Sequence, residues 1–338
     1  MLTYRIRPRV FRIDPPKDVQ FPAECLIRMF FSPLQPFGMQ ADGGRTAVFK
    51  VAAQAIFNSN TGIHWIESKE PLKPLDVTIT SPTRHIELKG NRLEITERFD
   101  SLRELTDNLE TYYYILPILL NVDYADPPII DRVEGRIGEA HFRWELNGWR
   151  MDFATTTQEL QEQRFADAYD MLGVLSSQQH NRRLVAALHY FHVAVRLSRA
   201  GSTPGEFLAE VILNLTKTLE VLFPPGEGVG TREGVRIGLR ILGYSDEEIE
   251  RDFIPAMALR NEIDVGHVDL SLFNTEQLKL IHGYTERVEQ CFRELLARIV
   301  AKVKQGTWQI PEHVAHNLST AARKVLDRLS ASSHPDAA

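Results

Sequence analysis

The spacing of hydrophobic residues changes near Ala154, and this change constrains the fold more than any other feature of the sequence. Up to that point, short segments of β-branched and aromatic residues are separated by turn formers, which is typical of strands. Beyond it, apolar residues recur every three or four positions, as on the buried face of a helix. The sequence therefore predicts an α+β protein with two cores: a mixed, β-rich domain over residues 1–150 and an all-helical domain over residues 151–310. Residues 311–338 are expected to form one amphipathic helix and a disordered tail.

The first domain is predicted to be a sheet with one helix. Strands are expected over residues 3–13, 24–31, 46–57, 76–80, 84–89, 92–96, 129–137 and 139–146. The alternation on both sides of Gly90-Asn91 indicates a hairpin. Asp100 is the expected N-cap of the helix, and Pro117 is expected to kink or end it. The domain contains no catalytic signature, so its role stays open.

The second domain is predicted to be a bundle of helices. Four helices are expected over residues 155–177, 181–199, 204–222 and 232–242. A fifth is expected to begin after a cap at Ser245, the next to contain the segment ALRNEIDVGH, and the last to span residues 275–304. The last of these has one continuous apolar face, which includes Leu278, Val288 and Phe292. These faces indicate a packed bundle without internal repeats.

Charge and composition exclude several classes of protein. With 39 basic and 45 acidic residues the formal net charge is −6, so any nucleic-acid site has to be a local basic patch. No segment has the run of about eighteen apolar residues that a membrane helix needs, so no membrane partner is expected. The two cysteines, Cys25 and Cys291, are far apart, which argues against a disulfide framework. A cytoplasmic location is the expectation.

The segment ALRNEIDVGH resembles the signature of a known family. It contains Arg260, followed by the polar Asn261 and, a few residues later, by His267. The preceding segments ALHYFHVAVRLSRAG, FLAEVILNLTKTLEVLF and REGVRIGLRILGYSDEEI fit the same family in the same order. Together they resemble HEPN domains, in particular the Apea-like group. The resemblance implies a helical bundle that cleaves RNA without a metal or cofactor, as a homodimer that brings two copies of the motif into one cleft.

The residue types of the motif suit that chemistry. Histidine can move a proton near neutral pH, and arginine can hold a phosphate through its planar fork of donors. On a continuous helix, His267 would lie within about 20° of Arg260, with Asp264 about 40° to the other side. These three residues would then share a polar face, while Asn261 would orient a phosphate or the imidazole. The alternative is a solvated face with an Arg260–Asp264 ion pair. Gly266 precedes the histidine, where the family commonly has glycine after it, and it could end the helix early.

Two further sets of residues are weaker candidates. Arg232, Arg236 and Arg240 recur every four residues and form a possible RNA-binding stripe, which Glu233 and the nearby acidic run DEEIERD could instead neutralise. Glu220 resembles an acidic position of related domains and could pair with an arginine of the bundle. No set of ligands for a metal is visible in the sequence.

The leading hypothesis is thus a HEPN-type endoribonuclease acting on RNA as a homodimer, in a defence or toxin setting. In that case the first domain would sense a protein or ligand trigger or select RNA. The main alternative is a non-catalytic HEPN dimer that binds RNA or another protein. A third is an unrelated enzyme site in residues 1–150.

Overall fold

The computed structural model describes residues 7–16, 18–32, 37, 40–41, 45–46, 55–58, 63–66, 74–121, 128–147, 157–177, 182–201, 203–260, 262, 274–311 and 319–332. The chain forms two compact units. One contains Met1–Phe153 together with Ser198–Leu208 and Ser271–Gly283, and the other contains Ala154–Leu197, Ala209–Leu270 and Tyr284–Ala338. A sheet in the first unit and helices in both make the fold α+β, as predicted from the sequence.

The first unit is built on a seven-stranded antiparallel sheet with the strand order β1-β11-β10-β2-β9-β8-β7. Its strands are β1 (Arg9–Asp14), β2 (Ala23–Ser32), β7 (Asp76–Thr80), β8 (Arg84–Lys89), β9 (Arg92–Phe99), β10 (Ile129–Ile137) and β11 (Ala140–Leu146). Two small hairpins pair β3 (Gln40–Ala41) with β4 (Arg45–Thr46) and β5 (Ala55–Asn58) with β6 (Ile63–Ile66). The strand predicted over residues 46–57 is therefore divided between β4 and β5, with residues 47–54 outside the described part.

One face of the large sheet packs against helix α1 (Leu102–Leu120). Alternate residues of β2, such as Ile27 and Met29, are fully buried in the same core as Leu105 and Leu109 of α1. The predicted hairpin at Gly90-Asn91 is confirmed: Lys89 pairs with Arg92, and Gly90 has a φ of 57°. That left-handed conformation suits glycine because it has no Cβ.

Helix α1 differs from its predicted limits at both ends. Its N-cap is Ser101, whose hydroxyl accepts a hydrogen bond from the Glu104 amide, so the prediction of Asp100 is wrong by one residue. The Asp100 amide instead donates to the Glu104 carboxylate. Pro117 does not end the helix, which continues to Leu120. A proline removes one helical hydrogen bond, but Pro117 lies in the last turn and is buried, where packing offsets this loss.

The remaining helices follow the predicted order. They are α2 (Gln158–Ser177), α3 (Arg182–Arg199), α4 (Leu208–Leu222), α5 (Thr231–Ile241), α6 (Asp246–Glu248), α7 (Ile254–Leu259), α8 (Thr275–Lys304) and α9 (Thr320–Ser332), and a π-helical segment (Ile249–Phe253) joins α6 to α7. Helix α2 begins at Gln158, three residues after the predicted start, and the Thr157 hydroxyl before it accepts a hydrogen bond from the Leu160 amide. The limits of α8 match the prediction, and Leu278, Val288 and Phe292 are buried. Within the described residues, no helix combines the length and the apolar character needed to span a membrane.

Helix α5 packs closely on the chain that precedes it. A Cβ atom added to Gly238 would lie 2.1 Å from Cδ1 of Phe223, and one added to Gly234 would lie 3.0 Å from Cα of Pro225. The first distance is far below a normal carbon–carbon contact, so a Cβ at position 238 would have to displace the Phe223 ring. The second is tight, so a Cβ at position 234 would require the backbone near Pro225 to move by a few tenths of an ångström. The two glycines therefore set how α5 lies against residues 223–225.

We expect Gly238→Ala to lower the free energy of unfolding by about 1–3 kcal/mol, because the new methyl group overpacks the Phe223 ring. The matched control is Gly283→Ala in α8, where an added Cβ has no neighbour within 4 Å among the described residues. That substitution should raise the free energy of unfolding by about 0.5–1 kcal/mol, as alanine favours a helix. Urea denaturation of both variants measures the difference. A shift of both in the same direction would contradict the packing described for α5.

Candidate functional site

Arg260 directly follows helix α7 and forms its C-cap. Its backbone is helical (φ −48°, ψ −42°), and its amide donates to the Ala256 carbonyl at 3.1 Å. Within the segment ALRNEIDVGH, the described part of helix α7 ends at Leu259, and the Glu262 amide donates to the Leu259 carbonyl, three residues back, as in a turn. The predicted site residues Asn261, Asp264 and His267 lie outside the described residues. The polar face that the helical projection assigned to Arg260, Asp264 and His267 therefore stays a prediction.

A buried tyrosine hydroxyl fixes the helix that carries Arg260. Tyr284 Oη accepts a hydrogen bond from the Ala256 amide and donates to the Asp252 carbonyl, both at 3.0 Å. These two backbone groups are four residues apart, so an uninterrupted α-helix would join them directly. The hydroxyl is inserted between them at the junction of the π-helical segment and α7. Burial raises the pKa of Tyr284 far above its usual value, so this hydroxyl keeps its proton.

Three further hydrogen bonds anchor α7 and the π-helical segment before it. The Thr216 hydroxyl of α4 donates to the Ala256 carbonyl at 2.9 Å, and Thr216 is fully buried. The buried carboxylate of Asp252 accepts from Arg251 and from Arg287 of α8, at 2.7 Å in each case. These guanidinium groups, Arg251 above all, hold the pKa of Asp252 below its usual value. Contacts from α4 and α8 thus define the position of Arg260.

Arg260 forms an ion pair with Glu220 of α4, with 2.6 Å between Nη1 and Oε1. The prediction that Glu220 pairs with an arginine of the bundle is confirmed. The Arg260 side chain is 33% exposed and that of Glu220 is 26% exposed, so the pair is half-buried and still accessible to solvent. Pairing with a carboxylate keeps the guanidinium in one orientation.

The ion pair lies in the wall of a cavity of about 400 Å³. Met257 of α7, Arg260 after the end of α7 and Glu220 of α4 line one part of the cavity. The rest is lined by the N-cap and first turns of α5, which contribute Gly230, Thr231, Arg232, Glu233 and Arg236. The cavity therefore joins residues far apart in sequence, and three arginines face two glutamates. The N-cap Gly230 provides no side-chain hydrogen bond to α5. The positive end of the α5 dipole adds to the attraction for an anion.

The arginine stripe of α5 is largely neutralised, as the alternative interpretation predicted. Arg236 Nε lies 2.6 Å from the Glu250 carboxylate, and Arg240 Nε lies 2.7 Å from that of Asp246. Glu233 lies within salt-bridge distance of both arginines. Arg232 is exposed and has no ion pair within the described ranges. Of the stripe, Arg232 and Arg236 reach the cavity and Arg240 does not.

Sequence reasoning missed the residues that support this site. Neither Tyr284 nor Thr216 was a candidate, because Tyr284 belongs to the apolar face of α8 and no sequence pattern distinguishes Thr216 on α4. Met257 and the N-terminal turn of α5 were missed as well, because only the packing of α4, α5 and α7 brings them together. Among the described residues, no group of three or more His, Cys, Asp or Glu side chains could hold a metal ion.

Comparisons with known proteins add no relative: no family model, no curated protein and no solved structure matches the chain.

Tyr284→Phe should lower the free energy of unfolding by about 1–3 kcal/mol, because it leaves two buried backbone groups without their partner. Tyr244→Phe is the matched control, since the buried Tyr244 hydroxyl has no hydrogen-bond partner within the described part of the chain. Removing that hydroxyl should leave stability unchanged or raise it. Thermal or urea unfolding compares the two variants. Equal effects would mean that the Tyr284 hydroxyl does not hold the helix.

Proposed function

We propose that the helical unit is a metal-independent endoribonuclease of the HEPN type that acts as a homodimer. The observation that carries this proposal is the cavity that Arg260, from the family-like motif, shares with Glu220, Arg232 and Arg236. RNA carries a phosphodiester anion at every linkage, and arginine binds phosphate oxygens through a planar set of donors. A cavity with three guanidinium groups at the start of a helix suits one such phosphate.

The resemblance supplies the proton chemistry. In this proposal the ribose 2′-hydroxyl loses its proton to a base and attacks phosphorus, while an acid protonates the leaving 5′-oxygen. The products are a 2′,3′-cyclic phosphate and a free 5′-hydroxyl. His267 takes one of the proton-transfer roles, Asn261 orients the phosphate or the imidazole, and Arg260 stabilises the charge that develops on the phosphorane. One arginine and one histidine are few for this reaction, so a second copy of the motif from the partner protomer completes the site.

The ion pairs favour a second candidate function. Arg260 is paired with Glu220, Arg236 with Glu250, and Arg240 with Asp246. Arginines used in this way stabilise the fold and contribute less to turnover. These properties would suffice for a non-catalytic HEPN dimer that binds RNA or a protein, because binding needs a stable fold and no proton transfer. In either case the first unit would select RNA or sense a trigger, and a defence or toxin setting follows from the resemblance alone.

If the proposal is correct, Arg260→Ala and His267→Ala each lower RNA cleavage at least a hundredfold while circular dichroism stays unchanged. Arg260→Lys should restore little, since a point charge cannot replace the planar fork. Cleavage should persist in excess EDTA, and a 2′-deoxy substitution at the cut site should block it. The control is Arg103→Ala, whose side chain is 91% exposed on α1 and which should cut like the parent.

Three results would contradict nuclease activity of this kind. They are full cleavage by both alanine variants, loss of cleavage in EDTA, and cleavage of the 2′-deoxy substrate. RNA binding without any cleavage by the parent protein would favour the non-catalytic module.

Assembly gives a separate test of the composite site. Light scattering of the full chain should give a mass near twice 38.6 kDa, because each active cleft needs two protomers. Mixing Arg260→Ala with His267→Ala subunits should then restore part of the activity if the two residues of one cleft come from different protomers. A monomer at micromolar concentration that still cleaves RNA would exclude the composite site.

A further inference from the structure

The large sheet of the first unit carries a second charged cavity, of about 410 Å³. It lies on β1, β11, β10 and β2, and the six charged or titratable side chains that line it are Arg12, Asp14, Arg28, Glu134, His141 and Arg143. It is unrelated to the HEPN-like motif, and no part of the proposed RNA chemistry uses it.

The strand register explains why these side chains share one face. On β1 and β11, Phe11 is opposite Trp144 and Ile13 is opposite Phe142, and these aromatic and aliphatic groups pack in the core with α1. Because successive side chains of a strand point to opposite faces, Arg12 must lie on the other face, directly opposite Arg143. The burial pattern agrees, since Trp144 is buried and both arginines are exposed.

Two like charges directly opposite each other destabilise an antiparallel pair. Arg143 forms an ion pair with Glu145 of its own strand at 3.4 Å, and its partner on β10 is Glu134. Arg12 forms no ion pair with any residue that the structure describes. The like-charge contact of Arg12 with Arg143 thus remains on the β1 side of Arg143, and an anion between the two guanidinium groups would remove this repulsion.

Neighbouring strands extend the row with alternating charges. Glu134 on β10 is opposite Arg143 on β11 and opposite Arg28 on β2. Arg28 in turn forms an ion pair with Glu94 on β9, with 2.9 Å between Nε and Oε1. At the adjacent position, His141 is opposite Asp14. The cavity therefore offers two arginines for an anion at one end and carboxylates beside them, which can accept hydrogen bonds from hydroxyl or amino groups.

We propose that this cavity binds a small phosphate-bearing molecule, with the phosphate between Arg12 and Arg143. A dianionic phosphate matches the two guanidinium charges and their planar donors. Glu134 and Asp14 accept hydrogen bonds from the hydroxyl or amino groups of the remainder of the ligand. Small-molecule sites commonly have volumes of about 300–1,000 Å³, so a cavity of about 410 Å³ accommodates a nucleoside monophosphate or a sugar phosphate.

The alternating charges argue against a nucleic-acid strand as the occupant. A polyanionic backbone that follows this row would approach Glu134 and Glu94 as closely as the arginines, so most of the electrostatic gain would be lost. A single phosphate avoids this repulsion because it needs only the end formed by Arg12 and Arg143.

The test is isothermal titration of the full chain with adenosine 5′-monophosphate, inorganic phosphate and adenosine, alongside Arg12→Gln and Arg143→Gln. The monophosphate should bind, adenosine should not, and each substitution should weaken binding at least tenfold. Arg98→Gln is the control, since Arg98 is exposed on β9 and does not line the cavity. Without ligand, Arg12→Gln should not melt at a lower temperature than the parent, because it removes a like-charge contact and no ion pair within the described residues.

The comparison of probes identifies the source of the phosphate. Tighter binding of the monophosphate than of inorganic phosphate assigns the cavity to a phosphate ester, and equal binding assigns it to free phosphate. The proposal is overturned if neither anion binds at millimolar concentration, or if Arg98→Gln weakens binding as much as the cavity variants. It is also overturned if a single-stranded RNA without a terminal phosphate binds more tightly than the monophosphate through Arg12 and Arg143. Loss of RNA cleavage in the motif variants leaves this titration unchanged, so the two proposals fail separately.

Discussion

The Ala256 peptide unit is the point on which the geometry of the candidate site depends. Its amide donates to Tyr284 of α8, and its carbonyl accepts from both Thr216 of α4 and the Arg260 amide. Three elements thus meet at one buried backbone position, four residues before the arginine of the motif. A buried polar group without a partner is costly, so each of these contacts constrains the others. The short helix α7 could not hold Arg260 in place by itself, because isolated helices of this length are unstable.

Long periodic elements were predictable from the sequence, and contacts between elements were not. Helix α8 has the predicted limits since thirty residues with one apolar face leave little choice of register. The hairpin at Gly90 and the capping box of Ser245 and Glu248 carry local signals that need no tertiary context. At α1, by contrast, Asp100 and Ser101 are adjacent and equally good caps, and local preference cannot separate them. Pro117 remains helical because tertiary burial outweighs its local cost.

The site shows the same division. The neutralised stripe followed from residue types and spacing, whereas the pairing of Glu220 with an arginine followed from the family resemblance, which did not identify Arg260 as the partner. The cavity followed from neither, because it is formed by α4, α5 and α7, which are separated along the chain. The insertion of the Tyr284 hydroxyl could not be predicted from the sequence. A tyrosine on an apolar helix face has the same hydrophobic spacing whether or not its hydroxyl bonds to a neighbouring backbone. Helical projection of Arg260 onto later residues assumed that α7 continued, and a helix of six residues gave too little periodic signal to test this.

Helix α5 has two faces with the same spacing. Gly234 and Gly238 recur at four residues, as do Arg232 and Arg236, and an offset of two positions puts the two sets on nearly opposite sides of a helix. Contact of the glycines with Phe223 and Pro225 fixes the rotation of the helix about its axis. The side of the helix from which the arginines extend is then a result of steric packing, while their acidic partners orient the guanidinium groups. Replacing the carboxylates would therefore leave the side of the helix from which the arginines extend unchanged, whereas a larger residue at Gly238 would push α5 away from Phe223 and move the arginines with it.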